Sequence, residues 1–316
     1  MHILITGANG FVGRYFVERL RDQRGTGNPV GWYELLTLVD IRLDANFTDP
    51  RIRLVAGSLA DSQVIDQAVH PAVDCVFHLA CVPGRAAERD YDLGREANLY
   101  GAIRLLDALR SQSRPPKFVF SSSVAVFGTP LPDRVDDDTL PLPTLSYGSQ
   151  KLMVEALVND YTRRGWIDGL SLRLSGIVAR PASSASNLSS FLSEAMYAAK
   201  AGRSFTMPMA PGVATWLMSV PCCVDNLLHA AAIPAGELPA QRSWTLPTFR
   251  VSMSDLVDGL ASLYGASVKD RFAYAPDSAV EGIFGQPPIT TAMADRLGFW
   301  NDGDIVTLIR RAMSVS

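Results

Sequence analysis

The first 175 residues predict an α/β fold, doubly wound around a parallel sheet. Three observations predict it. Short, nearly unbroken apolar runs alternate with longer amphipathic segments, a glycine-spaced turn closes the first apolar run, and the apolar runs are continuous rather than alternating. Continuous runs are the mark of strands covered by helices on both faces. The candidate strands are 2–6, 35–39, 52–55, 75–78, 117–121 and 170–174. Between them, apolar residues recur with helical spacing over 11–21, 61–68, 93–109 and 148–163. Repeated strand–helix–strand units imply parallel pairing with right-handed crossovers.

Beyond residue 174 the regularity breaks. Residues 181–190 are rich in Ser and Ala and predict a loop. Helical patterns return at 191–201, 223–232, 254–263, 290–297 and 304–313, with short strand candidates near Thr245 and Ala273. Asp136, Asp137 and Asp138 lie between prolines and read as a solvated turn, with a cation site as the alternative.

Composition excludes several classes. Hydrophobic residues make up 47% and charged residues 19% of the 316, a balance that supports a packed core rather than disorder. With 29 Lys+Arg against 32 Asp+Glu, the net charge of -3 leaves no broad basic face for nucleic acid or an anionic membrane surface. No apolar stretch reaches the roughly 18 residues of a membrane span. The opening residues carry no basic n-region or cleavage site, so a cytoplasmic location is expected. Cys75, Cys81, Cys222 and Cys223 have no Cys-x-x-Cys spacing and are expected as reduced core residues. The four histidines form no pair at metal-ligand spacing, and no metal is expected.

The strongest chemical signal follows the first strand. Gly7-Ala8-Asn9-Gly10-Phe11-Val12-Gly13 joins that strand to the first helical pattern. A dinucleotide pyrophosphate is held at a helix N-terminus by N–H groups and the helix dipole. Gly7 and Gly10 permit the tight turn and close approach, and Gly13 lets the helix pack on the sheet. An acidic residue should then end the second strand, and Asp40 does, 27 residues beyond Gly13. That separation exceeds the usual 20 or so, and the polar stretch 25–31 accounts for the excess. A carboxylate there accepts ribose hydroxyl hydrogen bonds and repels a 2′-phosphate, so the expected cofactor is NAD. Arg42, two residues on, is the feature that would accommodate NADP. The expected organisation is a Rossmann domain at 1–175, its sheet completed by segments around 216–235, and a smaller, discontinuous mixed α/β substrate lobe at 176–316.

With these segments in place, the chain resembles the extended branch of the short-chain dehydrogenase/reductase superfamily, which holds sugar epimerases, dehydratases and dehydrogenases. The ordered matches are the Gly-x-x-Gly-x-x-Gly turn, Phe77-His78-Leu79-Ala80, Asn98, Ser121-Ser122-Ser123 and Tyr147-Gly148-Ser149-Gln150-Lys151. Departures from the branch are Ser58 where an Asp is common, Cys81 for an alanine and Phe127 for a tyrosine. The resemblance implies cofactor contacts at Gly7, Asn9, Gly10, Phe11, Val12, Gly13 and Asp40. It adds Ser58, Leu59, Leu79 and Ala80, with Ser123, Tyr147 and Lys151 at the reactive end. It implies dimerisation through the two long helices.

Tyr147 and Lys151 stand four apart, so a helix puts them on one face. A phenol titrates near 10, and serving as a base near pH 7 takes roughly 4 kcal/mol of preferential phenolate stabilisation. An ammonium one turn away and the positive nicotinamide supply it. Tyr147 is then the expected general base, Lys151 its electrostatic partner and ribose ligand, and Ser123 the donor to the reacting oxygen. The resemblance gives Asn98 the support of the lysine through a water; a helix asparagine without that task is the alternative.

The substrate reading is narrower. Nucleotide-sugar enzymes of the branch carry Arg and His near residue 225, whereas 216–225 holds no cationic side chain. A diphosphate left unpaired there would be costly. The segments 122–128, 135–139, 146–151, 159–165 and 172–181 are similar instead to the D-erythronate dehydrogenase group, which oxidises the C2 hydroxyl of a four-carbon sugar acid with NAD. Ser175 and Arg180 are the expected substrate residues, Arg180 for the carboxylate, with a structural salt bridge as its alternative. A nucleotide-sugar 4-epimerase or dehydratase is the competing function, and a cofactor-binding sensor without turnover is a third.

Overall fold

A computed structural model of the chain describes residues 1–22, 33–43, 49–181 and 190–314. The loop expected at 25–31 and most of the one at 181–190 lie outside the described residues. In chain order the elements run β1 (His2–Thr6), α1 (Phe11–Asp22), β2 (Leu35–Asp40), β3 (Ile52–Ala56), α2 (Ser62–Val69), β4 (Cys75–His78), α3 (Gly84–Arg89) and α4 (Tyr91–Arg95). A π-helical turn, Glu96–Tyr100, leads into α5 (Gly101–Leu109), β5 (Lys117–Ser123), α6 (Ser146–Arg163), β6 (Asp168–Leu174) and β7 (Gly176–Val178). Then follow α7 (Ser190–Lys200), β8 (Phe205–Met207), β9 (Ala214–Ser219), α8 (Val220–Ala232), β10 (Ser243–Thr245), β11 (Phe249–Ser252) and α9 (Met253–Tyr264). The chain closes with α10 (Val268–Arg271), β12 (Phe272–Tyr274), α11 (Ser278–Phe284), α12 (Ala292–Arg296) and α13 (Ile305–Met313).

Two units result. The first comprises residues 1–126, 143–173 and 224–244. Its seven-stranded sheet has the order β10-β6-β5-β4-β1-β2-β3. Pairing is parallel between β1 and β2, β1 and β4, β2 and β3, and β4 and β5. The order reverses between β1 and β4, and in open α/β sheets ligands bind at such a switch point, beyond the carboxyl ends of the strands. Both faces are covered. Phe16 of α1 packs on Phe77 with ring centroids 4.4 Å apart, while Leu4, Val76, Phe118 and Phe120 meet Leu105, Leu106 and Val154 on the other side.

The second unit comprises 127–142, 174–223 and 245–316. A three-stranded sheet, β11-β9-β7, and a two-stranded one, β12-β8, pack against α7, α9 and α13 around Leu217, Val251, Met196, Leu260 and Ile309. Side-chain caps start three of its helices: Ser252 for α9, Asp277 for α11 and Asp304 for α13. Asp137, from the acidic run, accepts the backbone N–H of Met293 in α12 at 2.8 Å.

Three sequence expectations are corrected. The strand completing the main sheet is β10 at 243–245, whereas 214–219, overlapping the start of the expected 216–235 segment, forms the fully buried central strand of the smaller sheet, and 224–235 belongs to the first unit without adding a strand. Local hydrophobicity marks a buried strand but does not select its partner. The helix expected over 93–109 starts at Tyr91 and is interrupted by the π turn. The helix expected from 148, α6, starts at Ser146.

Leu105 of α5 is fully buried between α2, α6 and the sheet. Leu105→Ala should lower unfolding free energy by about 3 kcal/mol, read as a lower urea midpoint with unchanged slope.

Candidate active site

The glycine turn is built as its spacing demands. Gly7 has φ +73°, and a Cβ there would lie 2.6 Å from the Ala80 backbone nitrogen. A Cβ on Gly13 would lie 2.1 Å from the Gly7 carbonyl oxygen, so α1 rests directly on the turn. Gly10 is exposed, and the first turn of α1, which opens with Phe11 and Val12, holds no acidic side chain. An anion would therefore meet bare backbone at an unneutralised helix N-terminus. Asp40 ties the turn to its neighbours: its Oδ2 accepts the Asn9 N–H at 2.9 Å and its carbonyl accepts the Gly57 N–H at 2.9 Å. Its Oδ1 has no partner among the described residues. Arg42 is exposed on the same loop.

On the β4 side, Leu79 and Ala80 continue from the strand, the Leu79 N–H bonding to the Thr6 carbonyl at 3.1 Å and the Ala80 N–H to the Thr6 hydroxyl at 3.4 Å. Ser58 is exposed, its hydroxyl accepting the Ala60 N–H at 3.1 Å. Leu59 differs from the others. Its side chain is buried in the core beneath Gly101 of α5, leaving only its backbone to face a ligand.

The second cluster lies where β5 and α6 meet. Tyr147 occupies the first turn of α6, and Lys151 follows one turn on, its Nζ 5.5 Å from the Tyr147 ring centre. Lys151 is only 2% exposed. Its Nζ donates to the Ser121 carbonyl at 2.6 Å and lies 4.6 Å from the centre of the Phe120 ring. Ser123 ends β5, its hydroxyl accepting the Ala125 N–H at 3.1 Å. Several residues hold this arrangement that the sequence reading leaves unassigned. A Cβ on Gly148 would lie 2.3 Å from the Ala125 carbonyl oxygen, so α6 sits on the turn after Ser123. Glu88 of α3 accepts the Ser146 N–H at 2.8 Å, supplying the cap that Leu145 cannot. A Cβ on Gly84 of α3 would lie 3.7 Å from the Tyr147 ring, so α3 passes beside it.

Asn98 sits inside the π turn, a distortion that frequently marks functional positions. Its Oδ1 accepts the Val82 N–H at 2.7 Å, and its amide donates to the Val82 carbonyl at 3.0 Å and to Gln150 Oε1 at 2.7 Å. Asn98 thus binds the segment after β4 to the residue beside Lys151.

The charges around Lys151 are unequal. Burial pushes its ammonium below the usual lysine range, opposed by the Cys81 sulfur and the Glu155 carboxylate. His78 of β4 is pushed down to about 3, first by burial and then by Lys151, so its imidazole is neutral. Its Nδ1 pairs with the Thr6 hydroxyl at 2.7 Å. Of the four cysteines expected in the core, Cys75, Cys222 and Cys223 are buried and Cys81 is exposed, because residue 81 lies beyond the last paired residue of β4. Ser175 and Arg180 belong to the second unit. Ser175 accepts the Thr248 hydroxyl at 2.9 Å, and the Arg180 N–H bonds to Ser193 at 2.9 Å.

Comparison with known proteins now decides the family. Residues 3–211 match the NAD dependent epimerase/dehydratase family. The chain belongs to that family. Among curated relatives, the D-erythronate dehydrogenase of Cupriavidus necator is 37% identical over 99% of this chain and 98% of its own length. That of Haemophilus influenzae is 31% identical, covering 98% of each. A crystal structure described as a nucleoside-diphosphate-sugar epimerase from Agrobacterium tumefaciens superposes with a TM-score of 0.90 at 30% identity, over 98% of this chain and 92% of that one.

The residues present fit the cofactor in this family's name. The turn at Gly10, free of a side chain, would let a pyrophosphate reach the N-terminus of α1, and Asp40 Oδ1 would accept from a ribose hydroxyl. The buried Lys151 would offer its remaining N–H donors to the other ribose. Among the described residues no group of His, Cys, Asp or Glu could hold a metal ion, and no helix is long and apolar enough to cross a membrane.

His78 gives a pH signature. The folded protein leaves it unprotonated down to about pH 3, whereas an unfolded histidine takes a proton near 6.5. The unfolded chain therefore binds more protons in that window. Stability is held above about 6.5 and falls with pH toward 3, by about 1.4 kcal/mol per pH unit. Unfolding free energy measured from pH 6.5 downward should slope less in His78→Gln by about one proton; equal slopes would contradict a neutral His78.

Proposed function

We propose that this chain is an NAD-dependent dehydrogenase that oxidises a secondary hydroxyl of a small sugar acid, of the D-erythronate kind, at C2 to the 2-keto acid. The observation that carries the reading is similarity across 99% of the chain to a D-erythronate dehydrogenase, with Ser123, Tyr147 and Lys151 gathered at one strand–helix junction. Bound NAD would accept a hydride from the carbon bearing the substrate hydroxyl.

The chain's own groups do the rest. Tyr147 Oη takes the hydroxyl proton as the C–H bond breaks, which leaves a carbonyl and balances the charge. The Lys151 ammonium favours the phenolate that begins the step. Ser123 Oγ, already accepting from Ala125, keeps its own proton to donate to the substrate oxygen. Asn98 and Gln150 keep the base from shifting relative to the β4 segment. Arg180, in the second unit, is the proposed carboxylate ligand and Ser175 a further substrate contact. The exposed Tyr91, Leu93, Tyr100 and Met153 support a homodimer through the long helices, and a cytoplasmic location accords with an NAD-using enzyme.

The second reading is a nucleotide-sugar epimerase or dehydratase, favoured by the name of the Agrobacterium protein. Against it, residues 216–223 are buried and 216–225 holds no Lys, Arg or His to meet a diphosphate.

Absorbance in the NADH band, followed with purified protein, NAD and a panel of four- to six-carbon aldonates and uronates, tests the choice. Reduction is expected with a short aldonate, and activity confined to UDP-sugars would overturn the assignment. Tyr147→Phe should lower kcat about 1,000-fold with NAD binding nearly intact. Asp40→Ala should raise the NADP-to-NAD ratio of kcat/KM by about tenfold, one carboxylate's repulsion of a phosphate, and an unchanged ratio would remove that role.

A further inference from the structure

One buried ionic group in the first unit is not used by the mechanism above. Glu155 lies one helical turn beyond Lys151, so Tyr147, Lys151 and Glu155 follow one another along a single face of α6. Glu155 is buried, and both of its carboxylate oxygens accept hydrogen bonds. The Arg173 guanidinium of β6 donates to it from Nε at 3.0 Å and from Nη2 at 2.8 Å, and the Ser122 hydroxyl donates to Oε1. Two strands thus hold the carboxylate, β5 through Ser122 and β6 through Arg173. The neighbouring Ser121 carbonyl takes Lys151 Nζ.

A buried Arg–Glu pair can be structural, and replacing such a pair with apolar groups is often harmless to stability. Position argues for more. Among the described residues no carboxylate lies within ion-pair distance of Lys151, and a buried ammonium without one is costly. The groups facing it are Tyr147 and Glu155 on its own helix, the neutral His78 from β4, Cys81 from the segment after β4, and the Phe120 ring and Ser121 carbonyl from β5. Of these, Glu155 is the one carboxylate.

We propose that Glu155, locked by Arg173 and Ser122, is a positioning residue that keeps Lys151 as an ammonium ion beside Tyr147. The inference deepens the dehydrogenase reading and rests on it for its catalytic meaning, but not for its test. No ion pair joins Lys151 and Glu155 among the described residues, so the carboxylate acts on the ammonium at longer range while Lys151 stays on the Ser121 carbonyl. Arg173 and Ser122 fix where that carboxylate sits.

The experiment is a titration of the lysine side chains by NMR. The chain has only four lysines, Lys117, Lys151, Lys200 and Lys269, so ε-¹³C labelling gives four signals, assigned with Lys151→Met. The full-length protein is titrated without nucleotide or substrate, so failure here is distinct from failure of the sugar-acid assignment. In the wild type, Lys151 should be protonated at pH 7. Glu155→Gln keeps the shape and removes the charge, and the Lys151 midpoint should fall by roughly one to two pH units, the effect of one charge about a helical turn away. Glu155→Asp, which keeps the charge, should restore most of that fall even if it costs as much thermal stability. If Glu155→Gln does not fold, the double variant Glu155→Gln with Arg173→Met takes its place, with a smaller fall expected because losing the Arg173 charge offsets part of it. A Lys151 already neutral at pH 7 in the wild type, or a midpoint unmoved in the folded charge-free variant, would overturn the proposal.

Discussion

A lysine amine almost wholly withdrawn from water is the constraint to which the rest of the first unit is fitted. Lys151 reaches the carboxyl edge of the sheet only because α6 lies hard against the turn after β5. That approach leaves no room for a side chain at residue 148. The same contact brings the phenol of Tyr147 toward the strand end that carries Ser123. Glu88 secures the helix start from α3, and Asn98 secures the next residue from the π turn. Each contact removes freedom from one pair of side chains, and together they replace the water an exposed ammonium would have had.

The glycine turn answers a different physical demand. There the chain must keep side chains away and leave backbone exposed at a helix N-terminus. Gly7 and Gly13 serve the packing of α1 onto the sheet and onto Ala80, while Gly10 keeps the outer surface bare. Asp40 fixes the turn through one oxygen, which accepts the Asn9 N–H, and its other oxygen has no partner among the described residues. Both arrangements lie beyond the carboxyl ends of one sheet, the glycine turn after β1 and the Ser123 cluster after β5, on either side of β4 where the strand order reverses.

Legibility in the sequence follows the range of the interaction. The six strands of the Rossmann portion, the glycine turn, Asp40 and the Tyr147–Lys151 pair were readable because each is set by residues within a few positions of one another. Helix starts shifted by a residue or two, as at Ser146, where a distant glutamate and not the local sequence supplies the cap. The π turn at Asn98 was not readable, since it is paired with Val82 and Gln150 across the fold. Cys81 looked like a core residue from its apolar neighbours and is exposed.

By itself the sequence determined a parallel, doubly wound sheet with a nucleotide-type turn, since apolar periodicity and glycine spacing are local properties with local causes. Only the tertiary structure decided which strand completes that sheet, because 214–219 and 243–245 are both short apolar segments and pairing depends on what lies beside them. It alone decided, too, that Glu155 shares a buried cluster with Ser122 and Arg173. Those residues are far apart in the chain, and a carboxylate four positions past a lysine is as common on solvated helix faces as in a core.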